Sequence, residues 1–292
     1  MKRIPDACLQ AFAWICCIAV VSVVLVLGSF LLKRGLKYID LGLFFGDTPW
    51  IAAVTGARPV LDGIWPAVVG TFSLVFLSAA MSIPAGVASG IYLSEYAPGR
   101  VRSFLDFSVD LLAGTPSIVM GLFGFTMVIF LRKTLLPEAR TCLFLSAACI
   151  ALLILPYVIR TTQTALEAIP GHIRLLGPAM GFTQWQNIRR VLLPLSARGI
   201  LCGAILAIGR AAEDTAVILL TGVVAHVGLP ASLWDRFEAL PFRIYFIAAE
   251  HRTPEEMDQG LGIAVVLLLM TGALFATAAV IHKSIEKRWT RD

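Results

Sequence analysis

At 292 residues, 58% hydrophobic and 15% charged, with a mean hydropathy of +0.83, the chain falls outside the range of soluble domains, which carry roughly 25% charge. Its net charge of +5 sits in basic residues at the ends of apolar blocks, so no nucleic-acid partner is needed to explain it. Six cysteines (Cys8, Cys16, Cys17, Cys142, Cys149, Cys202) form no CxxC and none stands near a histidine at ligand spacing, which assigns them to packing and leaves no metal site.

The apolar residues gather in long blocks at 11–32, 66–94, 111–131, 141–159 and 260–281. A membrane-crossing helix takes about 20 residues, because every backbone polar group must be satisfied within the segment. Each block is long enough. A sixth, at 199–222, spans if it carries Arg210, Glu213 and Asp214 inward. The first block exceeds the ~7–15 residues of a signal-peptide core and is read as an uncleaved helix. With both termini inside, segments 1–10, 95–110, 160–198 and 282–292 are cytoplasmic and hold 13 Lys+Arg against 7 Asp+Glu. The external segments 33–65, 132–140 and 223–259 hold 10 of each, so the basic bias points inward. The organisation expected is 1–65 for a first helix and external segment, 66–285 for the main membrane domain with a loop at 160–198, and 286–292 for a cytoplasmic tail.

Taken in order, 33–65 is rich in Gly, Pro and aromatics, with Trp50 and Trp65 placed to anchor at the interface. The second helix carries Ser78, Ser82, Ala85 and Ser89 together with Gly86-x-x-x-Gly90, a face of small residues suited to close helix packing. The third is interrupted at Gly114-Thr115-Pro116-Ser117. Thr115 as N-cap and Pro116 at the first helical position predict a restart there. Such a start presents free N–H groups to an anion, or is simply a kink; both readings are open, and Thr115 and Ser117 are the residues concerned. The 160–198 segment alternates short amphipathic stretches with Pro170, Gly171, Gly177, Pro178 and Gly181, which predicts short helices at the membrane surface and a partner that binds them.

The fifth helix holds the charges that chemistry must explain. At 100° per residue Arg210 and Asp214 share a face with Gly203 and Ala207. Each buried charge costs on the order of 3 kcal/mol on the insertion scale, so it faces a cavity or a partner. Arg210 and Asp214 either pair as i,i+4 neighbours or serve an oxyanion, the guanidinium bidentately and a carboxylate by accepting the proton of hydrogen phosphate. Sulfate lacks that proton and leaves the acceptor unpaired. With Glu213 and Asp214 both ionised the cluster repels anions, so either one acid is protonated or turned away, or a second subunit adds positive charge, the last being the expectation favoured. No G-x-x-x-x-G-K-[ST] loop, H-E-x-x-H or hydrolase elbow is present, and neither catalytic residues nor an enzyme activity is assigned.

These residues carry a resemblance. Gly181 with Val191-Leu192-Leu193-Pro194 resembles the cytoplasmic signature of bacterial ABC importer permeases: Glu-Ala-Ala, three residues, Gly, nine residues, Ile-x-Leu-Pro. Leu175-Leu176-Gly177 stands where Glu-Ala-Ala belongs. Ile91-Tyr-Leu-Ser-Glu-Tyr96, Leu112-Ala-Gly-Thr-Pro-Ser-Ile-Val-Met-Gly121, Pro156-Tyr-Val-Ile-Arg-Thr-Thr162 and Gly209-Arg-Ala-Ala-Glu-Asp-Thr-Ala216 resemble phosphate permeases of the PstA and PstC type, PstA more than PstC.

The resemblance implies an all-α membrane protein with six helices in the MetI-like arrangement and short cytoplasmic coupling helices, in the bacterial inner membrane. It implies a second homologous permease (PstC type), an ATPase dimer (PstB type) that carries the ATP and Mg, and a periplasmic phosphate-binding protein (PstS type). By the same analogy Arg210, Asp214, Glu213, Thr115 and Ser117 line the path. The coupling helix lies around 173–186, with Arg174, Gly181, Phe182, Trp185 and Pro194 at the ATPase contact. A permease for molybdate or sulfate, or a non-transporting scaffold or sensor subunit, is the alternative reading.

Overall fold

The computed structural model of the chain describes residues 3–56, 58, 60, 62–134 and 137–289, and the side chains of these between 8 and 280. Helix α1 (Arg3–Gly35) is followed by a 3-10 turn (Leu36–Tyr38) and two single-turn helices, α2 (Leu41–Phe45) and α3 (Trp50–Val54). Then come α4 (Trp65–Glu95), α5 (Gly99–Ala113), α6 (Ser117–Thr134) and α7 (Leu143–Glu167). Short helices α8 (Gly171–Arg174), α9 (Leu176–Ala179) and α10 (Gln184–Asn187) lead through a π turn at Ile188–Leu192 into α11 (Leu193–Glu213). The order closes with α12 (Ala216–Thr221), α13 (Leu240–Glu250) and α14 (Pro254–Trp289). Among the described residues the one β feature is an isolated bridge, Val223 to Phe237.

Among the described residues six helices are long and apolar enough to cross a membrane: Cys8–Tyr38, Trp65–Glu95, Ser117–Thr134, Leu143–Glu167, Gln184–Glu213 and Pro254–Val280. The all-α, six-span architecture expected from the sequence therefore holds, as do the short helices between the fourth and fifth spans. Two boundaries are corrected. The third span begins at Ser117, because 99–113 is a separate amphipathic helix, and the fifth ends at Glu213 rather than Gly222. Of the tail expected at 286–292, residues 290–292 lie outside the described residues, as do residues 1 and 2, and α14 runs on through Trp289.

Several buried hydroxyls turn back on their own helix, while those of Ser82 and Thr162 make no such bond. Thr71, Ser78, Ser146, Ser196 and Thr221 donate to carbonyls four residues earlier, which removes the need for a partner in hydrocarbon. The centre of the molecule is α7. Its buried Ile150, Leu153, Ile154 and Val158 join Leu74 and Val75 of α4, Met120 of α6, Ala207 and Ala211 of α11 and Val217 and Ile218 of α12 in one core. A smaller cluster ties the start of α4 (Ile64, Ala67) to Leu240 of α13 and Ile263 and Val266 of α14. Helix α1 leans on α14: a Cβ on Gly35 would lie 2.7 Å from the Leu261 carbonyl oxygen. No residue of its most apolar window is buried within the chain.

Close approach to α7 depends on missing side chains. A Cβ on Gly86 would lie 2.7 Å from the Val158 side chain, and one on Gly90 2.6 Å from Thr162. Ser78, Ser82, Gly86 and Gly90 of the small-residue face are thus used for packing, as the sequence suggested, while Ala85 is exposed. Gly90→Val is expected to lower the melting temperature of the purified protein, at an overpacking cost on the order of 1–3 kcal/mol. Ala85→Val, on the exposed flank of the same helix, leaves the melting temperature unchanged. Equal melting temperatures for the two variants would show that α4 and α7 are not held at this separation.

Candidate functional site

Along α11 the exposed residues recur as Leu195, Arg198, Cys202, Leu206, Arg210 and Glu213, one stripe at helical spacing. The opposite face, with Ile200, Gly203, Ala204, Ala207 and Ala211, is buried. Gly203 abuts Thr161 of α7 and Gly199 abuts Ala165, each closer than any side chain allows. The small residues that the sequence grouped with the charges are therefore used for packing, and Arg210 stands at their edge, turned to the open side.

Asp214 departs further from the helical-wheel expectation. The helix ends at Glu213, and Asp214 takes an extended conformation (φ −75°, ψ 112°). Its Oδ1 accepts the Val217 N–H at 2.9 Å, which starts α12. A short acidic side chain that captures a nearby backbone N–H competes with the helical ladder, and here it wins. Asp214 is 7% exposed and is not an i,i+4 partner of Arg210. Among the described residues Arg210 forms no ion pair with either acid. The crowding of negative charge expected at this point is thus relieved within the chain: Asp214 is turned inward, and the stripe shows one guanidinium and one carboxylate.

A second break lies beside the first. Helix α5 ends at Ala113 and α6 begins at Ser117, with the Pro116 carbonyl accepting the Val119 N–H at 3.0 Å. The restart is where the sequence placed it, shifted by one residue. Pro116 occupies the cap position, and the Thr115 hydroxyl donates back to Leu111 at 3.0 Å rather than capping. One turn into α6, a Cβ on Gly121 would lie 3.0 Å from the Ala216 carbonyl oxygen, and Gly124 faces Thr221. Helices α6 and α12 therefore run side by side, with the start of α12 level with Gly121, about one turn beyond the 114–116 break. Thr115 and Ser117 are both half-buried there.

The opposite end of the bundle carries ties that sequence reasoning missed. Glu95, the last residue of α4, accepts from Arg174 Nη1 at 2.8 and 3.1 Å. Arg174 also donates to the carbonyls of Leu166 and Ile169, and its own carbonyl accepts from Asn187 at 3.1 Å. Nearby, Arg160 of α7 holds Asp106 and Asp110 of α5, the latter at 2.6 Å, while Arg102 pairs with Glu167. Arg160 and Glu95 stand within motifs noted in the sequence, but their partners are 50 or more positions away and no local pattern indicates them.

Arg174 is thus held by partners within the chain, with its side chain 26% exposed. Gly181, at φ +79°, and Trp185 lie on the surface, and Leu175, Leu176 and Met180 are exposed apolar neighbours. Phe182 is half-buried beneath the Arg190 guanidinium, 5.5 Å from its ring centroid. Pro194 sits in the first turn of α11, where its missing N–H costs nothing. Thr183 closes a capping box with Gln186, which fixes α10.

Comparison with known proteins bears on this arrangement. Residues 82–291 match the family model described as "Binding-protein-dependent transport system inner membrane component". The chain is 31% identical over 238 residues to the phosphate transport system permease protein PstA 1 of Mycobacterium tuberculosis (strain ATCC 25618 / H37Rv), covering 80% of this chain and 74% of that protein. It is 34% identical over 240 residues to the phosphate transport system permease protein PstA of Yersinia pestis, covering 81% and 75%. Its fold is similar to a chain of the MetNI methionine ABC transporter in an inward-facing conformation (TM-score 0.61, 18% identity, 76% of this chain and 97% of that one). It is also similar to a chain of a bacterial ABC transporter involved in alginate import (TM-score 0.63, 14% identity, 97% and 99%).

Asp214→Ala removes the acceptor that starts α12, at a cost of about 1 kcal/mol, and is expected to speed amide exchange over 215–221. Unaltered exchange would show that the cap does not hold this turn. Arg174→Gln and Glu95→Gln should each speed exchange across 171–187. The double variant should add little, since both remove one interaction, whereas additive effects would mean that each side chain acts alone.

Proposed function

The chain belongs to the family of binding-protein-dependent transport system inner membrane components, and we propose that it is the permease subunit of an ATP-driven importer of inorganic phosphate. The observation that carries this reading is the stripe of α11. Arg210 and Glu213 lie within an apolar span, exposed on this chain. Facing hydrocarbon, each would cost on the order of 3 kcal/mol, so the stripe faces a polar path or a second subunit. A second, homologous permease laid along Leu195–Glu213 closes that path, and this chain supplies half of it. Phosphate as cargo draws support from the PstA relatives.

The chemistry of the stripe suits hydrogen phosphate. The guanidinium offers a fork of N–H donors to two phosphate oxygens, and the Glu213 carboxylate accepts the remaining P–OH proton. The α6 start beside it, with Thr115 and Ser117, turns on the break at Gly114-Thr115-Pro116. Helix α5 carries that break, and α5 is fastened to α7 mainly by the charges on Arg160 and Arg102. A shift of α5 against α7 therefore moves the half-helix that lines the path, which is what alternating access requires.

The driving energy comes from another chain, because this sequence has no phosphate-binding loop for ATP. With both termini cytoplasmic, α8–α10 face the cytoplasm and present Leu175, Leu176, Met180 and Trp185 to an ATPase dimer. The Arg174–Glu95 clasp passes movement of those helices directly to the end of α4. A periplasmic phosphate-binding protein delivers the ion at the opposite end. Gly181 and Pro194 shape the segment, and Phe182 anchors it.

The test is uptake by the complex reconstituted in vesicles with its partners and ATP. Arg210→Gln is expected to lower phosphate uptake about 10- to 100-fold, the loss of a charge-assisted hydrogen bond, in a complex that still assembles. Undiminished uptake would remove Arg210 from the path. Uptake of sulfate or molybdate in place of phosphate would assign the chain to another oxyanion. Absence of any uptake by the unaltered complex would leave a scaffold or sensor role.

A further inference from the structure

The end of the bundle where α4 begins holds a buried cation that the path on α11 does not use. Arg243 lies in the first turn of α13 and is 9% exposed. The chain is fixed there by the Leu240 N–H, which donates to the Thr71 hydroxyl of α4 at 2.8 Å and seats the start of α13 against the bundle. Arg243 Nη1 lies 3.2 Å from His226 Nε2, and Nε has no hydrogen-bond partner. Among the described residues no carboxylate comes within ion-pair distance of this guanidinium. The acid nearest in sequence, Glu238, is 2% exposed, and its Oε1 accepts from the Val227 N–H at 2.9 Å.

Buried charges are ordinarily paired, and buried donors are ordinarily satisfied. Arginine has no escape by deprotonation. What is left over here has a definite shape. With Nη1 committed to His226, the edge formed by Nε and Nη2 makes no hydrogen bond to a described residue, and that edge is a bidentate fork matched to two oxygens of a tetrahedral anion. His226, which lies against Nη1, is exposed and adopts φ +59°, a conformation uncommon for a residue with a side chain. The guanidinium is thus one side chain away from solvent.

We propose that Arg243, with His226 beside it, is a second anion subsite, at the external mouth of the chain, that takes a tetrahedral oxyanion before it reaches Arg210. The proposal rests on the phosphate-import reading and its orientation for the identity of the ion. The alternative is that Arg243 only pins the 222–239 segment to α13, with no ligand. A phosphate group also heads every phospholipid, so the test separates the free ion from a headgroup.

The experiment measures binding of radiolabelled inorganic phosphate to the complex in nanodiscs without the binding protein. In an Arg210→Gln background one phosphate per chain should still bind. Adding Arg243→Gln should weaken that binding at least about tenfold, while Arg243→Lys retains part of it. Phosphate should also slow amide exchange over 224–246 in the unaltered chain, a readout that does not depend on any variant folding. Binding equal in Arg243→Gln, or exchange indifferent to phosphate, would overturn the subsite. Binding in zwitterionic nanodiscs that disappears in anionic ones would overturn it in favour of a lipid headgroup. If the unaltered complex imports sulfate instead and sulfate alone gives these effects, the phosphate reading falls and the subsite stands.

Discussion

Helix α7 is gripped on two sides by helices that have given up side chains to reach it. Gly86 and Gly90 of α4 lie against Val158 and Thr162, and Gly199 and Gly203 of α11 lie against Ala165 and Thr161. In lipid there is little hydrophobic drive between helices, so van der Waals contact at short range has to hold them, and glycine is what permits that range. The rest of the chain follows from this separation. It brings the end of α7 to where Arg160 meets α5, and to where the Leu166 and Ile169 carbonyls receive Arg174. It also leaves α11 with one face consumed and the other uncovered.

Charge is distributed in three ways along the membrane normal, and desolvation explains each. At the end bearing α8–α10, the charges that join elements are matched: Arg174 with Glu95, Arg160 with Asp106 and Asp110, Arg102 with Glu167. They fasten surface elements whose apolar burial is small; α5 buries no residue at all. In the last turn of α11 Arg210 and Glu213 are left open on the stripe, and an apolar span carrying exposed charge calls for something polar to face them. At the far end Arg243 is buried with a histidine for company and an unused donor edge.

Both helix breaks lie where a half-helix can move without unravelling a whole span. One is set by a proline whose missing N–H makes it tolerable at a helix start, the other by an aspartate that prefers its own cap to the ladder. The two short elements that follow the breaks are packed together, because Gly121 and Gly124 let α6 lie directly on α12.

The span count, the all-α class, the restart near Pro116 and the short helices of 160–198 were legible in the sequence, because length, apolar composition and Pro/Gly placement act locally through backbone hydrogen bonding. The motifs quoted from 91 to 216 likewise carried the family. Local pattern misled at Asp214, where a wheel drawn at constant pitch assumed a helix that a side-chain cap had ended. It was silent on Glu95 with Arg174, on Arg160 with Asp106, and on Arg243 with His226, since pairing across 17 to 79 positions is decided by which helices touch. The sequence by itself determined that this chain lives in a membrane and which segments cross it, because transfer of backbone and side chains to hydrocarbon is a property of each segment alone. Which face of α11 stays open, which acid turns inward and which cation is left with a free edge were decided by tertiary packing alone, because burial and partnership are properties of neighbours.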